Sequence, residues 1–171
     1  MLKKFLSSVF IFFSLSLNAN EYLPQLVEKN HPDFQFSSQS EFKFLMWKIY
    51  NIYLFNNKYK ENEIALKLKY NKNINKEKII ESSIKLIIRQ NFTNQQKINS
   101  WQNQLEKIIP NIKKNQILIG VKSKDKTIFY NSNIKLGEIN DPEFSKYFFN
   151  IWLGENTVEP NIRKDLLKID E

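Results

Sequence analysis

FKFLMWKIYNIYL, residues 42–54, is the most informative run in the chain. Phe42, Phe44, Met46, Tyr50, Ile52 and Leu54 share one parity, and Leu45, Trp47, Ile49, Tyr53 and the adjoining Phe55 share the other. Both faces of an extended strand would then be apolar, which predicts a strand in the middle of a sheet, covered on both sides. Beyond the polar residues 56–62, Ile64, Leu66, Leu68 and Tyr70 alternate with Ala65, Lys67 and Lys69, the pattern of a half-buried hairpin partner.

Upstream, residues 20–40 show no period and contain Pro24 and Pro32, so an extended or irregular lead-in is expected. Downstream the spacing turns helical. Asn75 stands where a cap would, and Ile80, Ile84, Ile87 and Ile88 form one stripe. Thr93 with Gln96 has the form of a capping box, followed by Ile98, Trp101, Leu105, Ile108 and Ile109 up to Pro110. Asn91-Phe92-Thr93 also matches a glycosylation triplet, but Thr93 is better used as the cap. Strands are expected at 116–122, 127–130 and 134–139. Asp141-Pro142-Glu143 opens a helix carrying Phe144, Tyr147, Phe148, Ile151 and Trp152, which Gly154 ends, and Pro160 opens a last one with Ile162, Leu166 and Leu167 inward. The order gives an α+β domain, an antiparallel sheet with helices gathered against it.

Composition narrows the chemistry. The 171 residues include 14 Phe, 7 Tyr and 3 Trp, enough apolar surface for one packed domain, over residues 20–171. The absence of cysteine excludes thiolate zinc sites, dithiol redox chemistry and a Cys nucleophile. A single histidine, His31, leaves little for imidazole chemistry, and it reads as a surface residue next to Pro32. No metal and no cofactor is expected. The formal charge of +8 is spread among acids without a clustered Arg face, so no nucleic-acid partner is expected.

Residues 1–19 have the layout of a cleavable signal peptide: Lys3 and Lys4, an apolar stretch from Phe5 to Leu17, and Ala19 at the cut. The stretch is shorter than the ~20 residues that span a bilayer core, although an uncleaved anchor is the alternative. After cleavage no integral membrane segment remains, and a periplasmic destination is expected.

Three stretches resemble the chalcone isomerase-like family: residues 42–54, residues 64–70 with the helix that follows, and DPEFSKYFFNIWLGENTVEPNIRKDLL at 141–167. The Ile-Trp-Leu-Gly helix end, with Arg163 and Leu166-Leu167 in a Pro-started helix, resembles the ending of the exported bacterial branch. Lys48-Ile49-Tyr50-Asn51-Ile52 resembles that branch's strand. The resemblance implies an open-faced β-sandwich, with helices on one face of an antiparallel sheet and a ligand cleft between them. It also implies positions for the hydroxyls that serve the plant isomerases. Here Lys48 stands for the strand Thr and Ile151 for the late-helix hydroxyl, with Gln96 and Asn103 for the middle-helix Tyr and Asn. An Ile cannot replace a hydroxyl donor, so isomerase activity is not carried over.

Another branch of the resembled family binds fatty acids without catalysis, holding the carboxylate with a cation and a tyrosine. Such a site needs a desolvated cation, a nearby phenol or amide, and an apolar lining. Lys43 and Lys48 are the cations in the apolar strand, on opposite faces by their spacing, so at most one faces the cleft; the alternative is that both snorkel to solvent. Lys48 shares its parity with Tyr50. Trp101, Asn103, Ile151 and Trp152 complete the candidate site, although a Trp on a helix face is more often core. The expected function is a non-enzymatic periplasmic domain holding a small amphipathic or apolar, fatty-acid-like ligand. The alternatives are an intramolecular lyase or isomerase with a lysine base of depressed pKa, and an envelope interaction protein whose cleft is filled by its own side chains.

Overall fold

The computed structural model describes residues 22–169, so the signal peptide expected at 1–19 lies outside the described residues. The elements are α1 (Gln25–Asn30), β1 (Phe34–Phe44), β2 (Trp47–Asn57), β3 (Ile64–Tyr70), α2 (Lys76–Ile88), α3 (Gln95–Ile108), β4 (Ile117–Ser123), β5 (Lys126–Tyr130), β6 (Lys135–Ile139), α4 (Pro142–Leu153) and α5 (Pro160–Leu167). The six strands form one antiparallel sheet in the order β1 to β6, with α2 and α3 inserted between the neighbours β3 and β4. This is the α+β architecture that the element order predicts.

The apolar run at 42–54 is corrected from one strand to a hairpin. Phe44 pairs with Trp47, Leu45 and Met46 form the turn, and β2 is second from the sheet edge rather than central. The turn carries no Gly, Asn, Asp or Pro, so nothing in the sequence punctuated it. The prediction of two apolar faces holds further along β2. Ile52 and Leu54 pack with Leu66, Leu68, Leu118 and Phe129 under the helices, while Tyr53 and Phe55 pack with Ala65, Ile119 and Val121 on the other face.

The lead-in is corrected as well. Residues 25–30 are a helix with Pro24 at its cap, and Phe34–Phe44 is the edge strand. A register shift between Phe36 and Ser38 hides its period. Phe34 and Phe36 face the α1 side and Phe42 faces the α2–α5 side, although all three have the same parity. Helices therefore lie on both faces: α2 to α5 on one, and the short α1, through Leu23 and Val27, on part of the other.

The predicted helices form with small shifts. Asn94, not Thr93, caps α3, its side chain accepting from the Lys97 N–H at 3.1 Å. Asn75 precedes α2 without a side-chain cap bond, and Ile88 leaves its stripe for solvent. Asp141 caps α4 as expected, accepting from the Glu143 and Phe144 N–H groups. α4 lies close against β4 because of Gly120, where an added Cβ would sit 3.3 Å from the Phe148 ring. Under α2–α4 the space is filled by the rings of Phe92, Trp101, Phe129, Phe144 and Phe148.

Candidate functional site

Tyr50 projects from β2 toward α4, in register with Phe42 on β1 and Tyr70 on β3. Its ring stacks on Phe42 at 5.1 Å and meets Tyr70 edge-on at 5.6 Å. The Trp152 indole N–H donates to its hydroxyl at 3.0 Å. Burial pushes both phenols well above their ordinary pKa, and for Tyr50 it outweighs the Trp152 hydrogen bond. They are neutral hydrogen-bonding groups and cannot act as bases near neutral pH.

Tyr50, Ile52 and Leu54 share this face of β2, and Trp152 and Leu153 are consecutive on α4. Where that strip reaches the end of the sheet, a groove of about 440 Å³ opens between sheet and helices. Leu54 and Ile64 floor it, Leu153, Leu166 and Leu167 wall it, and Ser37, Asn56, Asn57 and Glu61 line its polar edge. Three hydrogen bonds fix the wall. Ser38 Oγ donates to the Leu166 carbonyl at 2.5 Å, Arg163 Nε to that of Leu153 at 3.1 Å, and Thr157 Oγ1 to that of Ile151 at 2.6 Å. A preformed concavity with an apolar floor and a few polar groups at its edge suits a small amphipathic molecule.

The sequence-predicted residues separate. Tyr50 and Trp152 meet, and buried Ile151 is the chain neighbour of Trp152. Trp101 is core, stacked on Phe92 at 4.7 Å and donating its N–H to Asp141 at 3.0 Å. Asn103 is exposed on α3. Lys43 and Lys48 are corrected from opposite faces of one strand to cross-strand neighbours, because the intervening turn folds one onto the other. Both are exposed and paired with Glu41, Lys48 at 2.5 Å, and neither lines the groove.

The buried ammonium is Lys67, which sequence reading assigned to the solvent side of β3. It lies beneath the α1 segment, donating to the Tyr22 carbonyl at 2.5 Å, with the Tyr53 and Phe55 ring centroids at 4.8 and 5.3 Å. Burial, reinforced by Lys69 and opposed by Glu28, lowers its pKa to about 8. A hollow of about 290 Å³ lies on the same side of the sheet, lined in part by Tyr22 and Phe55, which touch Lys67, and by Phe34 and Phe36; Lys67 itself does not line it. The only signal for it was a lysine inside the apolar run 64–70, and the missed α1 removed its meaning. His31 is half-buried, within 3.1 Å of the Tyr130 hydroxyl, rather than a plain surface residue. Among the described residues no group of His, Cys, Asp and Glu is placed to hold a metal ion, and no helix is long and apolar enough to cross a membrane.

The chalcone isomerase-like family matches residues 50–168, well over half of the chain. Among solved structures, a fatty-acid binding protein of Arabidopsis thaliana superposes with a TM-score of 0.64 at 12% identity, covering 79% of this chain and 87% of that one. No curated protein matches the sequence.

Proposed function

Because this chain belongs to the chalcone isomerase-like family, we propose that it is a non-enzymatic periplasmic domain that binds a small apolar or fatty-acid-like ligand between sheet and helices. The observation that carries the reading is the groove of about 440 Å³ under α4 and α5. Its volume lies within the ~300–1,000 Å³ usual for ligand sites. The apolar tail lies on Leu54, Ile64 and Leu166, the Asn56 amide and Ser37 hydroxyl meet the polar head, and Tyr50, Ile151 and Trp152 stand beyond on the same strip. The fatty-acid binding activity of the Arabidopsis thaliana protein supports the ligand class. The expected signal peptide supports the location.

The non-enzymatic part rests on what the strip lacks. Lys48 and Ile151 stand where the isomerases resembled by this sequence carry hydroxyls, and the neutral Tyr50 phenol is no base. A lysine-based isomerase needs its depressed ammonium in the cleft, whereas Lys67 belongs to the other face of the sheet. Aromatic side chains fill the space under α2–α4, so the ligand-free interaction protein differs from this reading only at the groove.

Native mass spectrometry of protein gently purified from the periplasm tests it. The expected result is a chain beginning near Asn20 that carries a lipid-like mass. Leu167→Glu, at an exposed groove position, is expected to lose that mass, while Lys43→Ala and Lys48→Ala keep it. Bare wild-type protein in repeated preparations overturns ligand carriage.

A further inference from the structure

The end of the β1–β2 hairpin carries four consecutive exposed apolar residues. Phe44, Leu45, Met46 and Trp47 are 62, 81, 94 and 61% exposed. Single exposed apolar residues are ordinary, but a contiguous run at the apex of a hairpin is not. Turn chemistry does not account for it either. Leu45 has φ 55°, in the left-handed region, while a two-residue hairpin turn with positive φ at its first position favours Gly there. A strained leucine and a methionine thus stand where Gly-Asn would form the turn more readily and repel no water. The residues are explained by what they touch outside the fold.

The charges around the tip identify that surface. Lys43 and Lys48 flank it as a cross-strand pair, and Lys72 Nζ lies 3.7 Å from the centroid of the Trp47 ring. Glu41 lies with Lys43 and Lys48, so three cations face one carboxylate in this collar. Lysine is depleted from protein–protein interface cores, but apolar and aromatic side chains ringed by lysines fit a bilayer interface. The rings settle among acyl chains and headgroups while the ammoniums reach lipid phosphates. We propose that the β1–β2 tip docks the domain reversibly on an anionic lipid surface through Phe44, Leu45, Met46 and Trp47, with Lys43, Lys48 and Lys72 on the headgroups. The tip begins β2 and the groove lies at its far end, so docking leaves the groove open and stands independently of what the groove holds.

The probe is a vesicle of phosphatidylethanolamine with phosphatidylglycerol, and the reporter is intrinsic. Trp101 and Trp152 are buried, so Trp47 is the solvent-exposed tryptophan among the described residues, and excitation at the red edge of the indole band avoids the exposed Tyr22 and Tyr59. The expected result is co-sedimentation with these vesicles, a blue shift of the Trp47 emission and its quenching by brominated acyl chains. Binding is expected to fall at least tenfold with added salt, because exposed lysines act within a screening length of about 10 Å. The double variant Leu45→Gly, Met46→Asn is expected to lose vesicle binding while melting at the same or a higher temperature. Absence of wild-type binding to these vesicles overturns the proposal, as does unchanged binding by the double variant. Reversible dimerisation in sedimentation velocity that the double variant abolishes also overturns it, in favour of a second copy as the occupant.

Discussion

Trp152 on α4 and Tyr50 on β2, 102 residues apart in the chain, are joined by an indole N–H to phenol bond of 3.0 Å. The bond ties the late helix to the sheet beside the strip that leads to the groove. Tyr50→Phe keeps the ring stacked on Phe42 but strands the buried indole N–H, and is expected to destabilise the fold by about 1–3 kcal/mol. The unfolding midpoint in urea measures it. A double-mutant cycle with Trp152→Phe is expected to show a loss smaller than the sum of the single losses, since the second change removes the stranded donor.

Lys67 gives stability an unusual dependence on pH. Its folded pKa of about 8 lies below the ordinary 10.5, so between these values the unfolded chain binds more protons and stability rises with pH. Tyr50 and Tyr70 act the other way. Their folded values lie above the ordinary 10.0, so stability falls once the unfolded phenols begin to ionise. Urea midpoints are therefore expected to climb from pH 8 toward pH 10 and to drop above it. Lys67→Met, which keeps the stem against Tyr53 and Phe55, is expected to flatten the climb; an unaltered climb in that variant refutes the assignment.

Asp141 serves two helices at once. One carboxylate oxygen accepts from the Glu143 and Phe144 N–H groups of α4, and the other from the Trp101 indole at 3.0 Å and the Lys97 ammonium at 3.2 Å. Burial raises its pKa, but these bonds outweigh that and hold it below the usual carboxylate value. The stabilisation is present above the unfolded value of 3.8 and is lost as pH falls through the lower folded one. Asp141→Ala is expected to cost about 2 kcal/mol or more, the upper range for a helix cap. Asp141→Asn, which keeps an acceptor for the cap and loses the charge, is expected to cost less and to remove this part of the acid dependence; thermal melts at pH 3 and pH 7 separate the two.

What the sequence disclosed follows from where a period survives. From residue 64 onward each helix, and one face of β3 to β5, keeps its period toward the core under α2–α5 even though these strands also bury their opposite face, so β3 to β6 and α2 to α5 were legible with end shifts of a residue or two. Before residue 50 two devices erased the period. The bulge after Phe36 moves the buried parity of β1 from one face to the other, and the Leu45-Met46 turn hides in an apolar run. Lys43 and Lys48 were misplaced for that reason, and Lys67 because the helix that covers it went unseen. Tyr50 and Trp152 were legible as members of one candidate site, and the indole N–H to phenol bond that joins them was not. The groove was not, since its walls are ordinary leucines.

Gly137 offers a test of how tightly α3 seats on the sheet. A Cβ built there would lie 2.7 Å from Ile108 Cγ1, inside any real contact, and that atom belongs to the branched stem of the side chain rather than to its flexible end. The chain must shift to admit it, and β6 is the edge strand that would move. Gly137→Ala is therefore expected to destabilise the domain by about 1–3 kcal/mol, the usual range for overpacking. Ile108→Ala alone leaves a gap at a half-buried position. Combined with Gly137→Ala it removes the clash, so the double variant is expected to be more stable than the two single losses add up to. Strict additivity in the urea cycle would mean that the alanine methyl and Ile108 never meet, and that α3 does not rest on β6 as described.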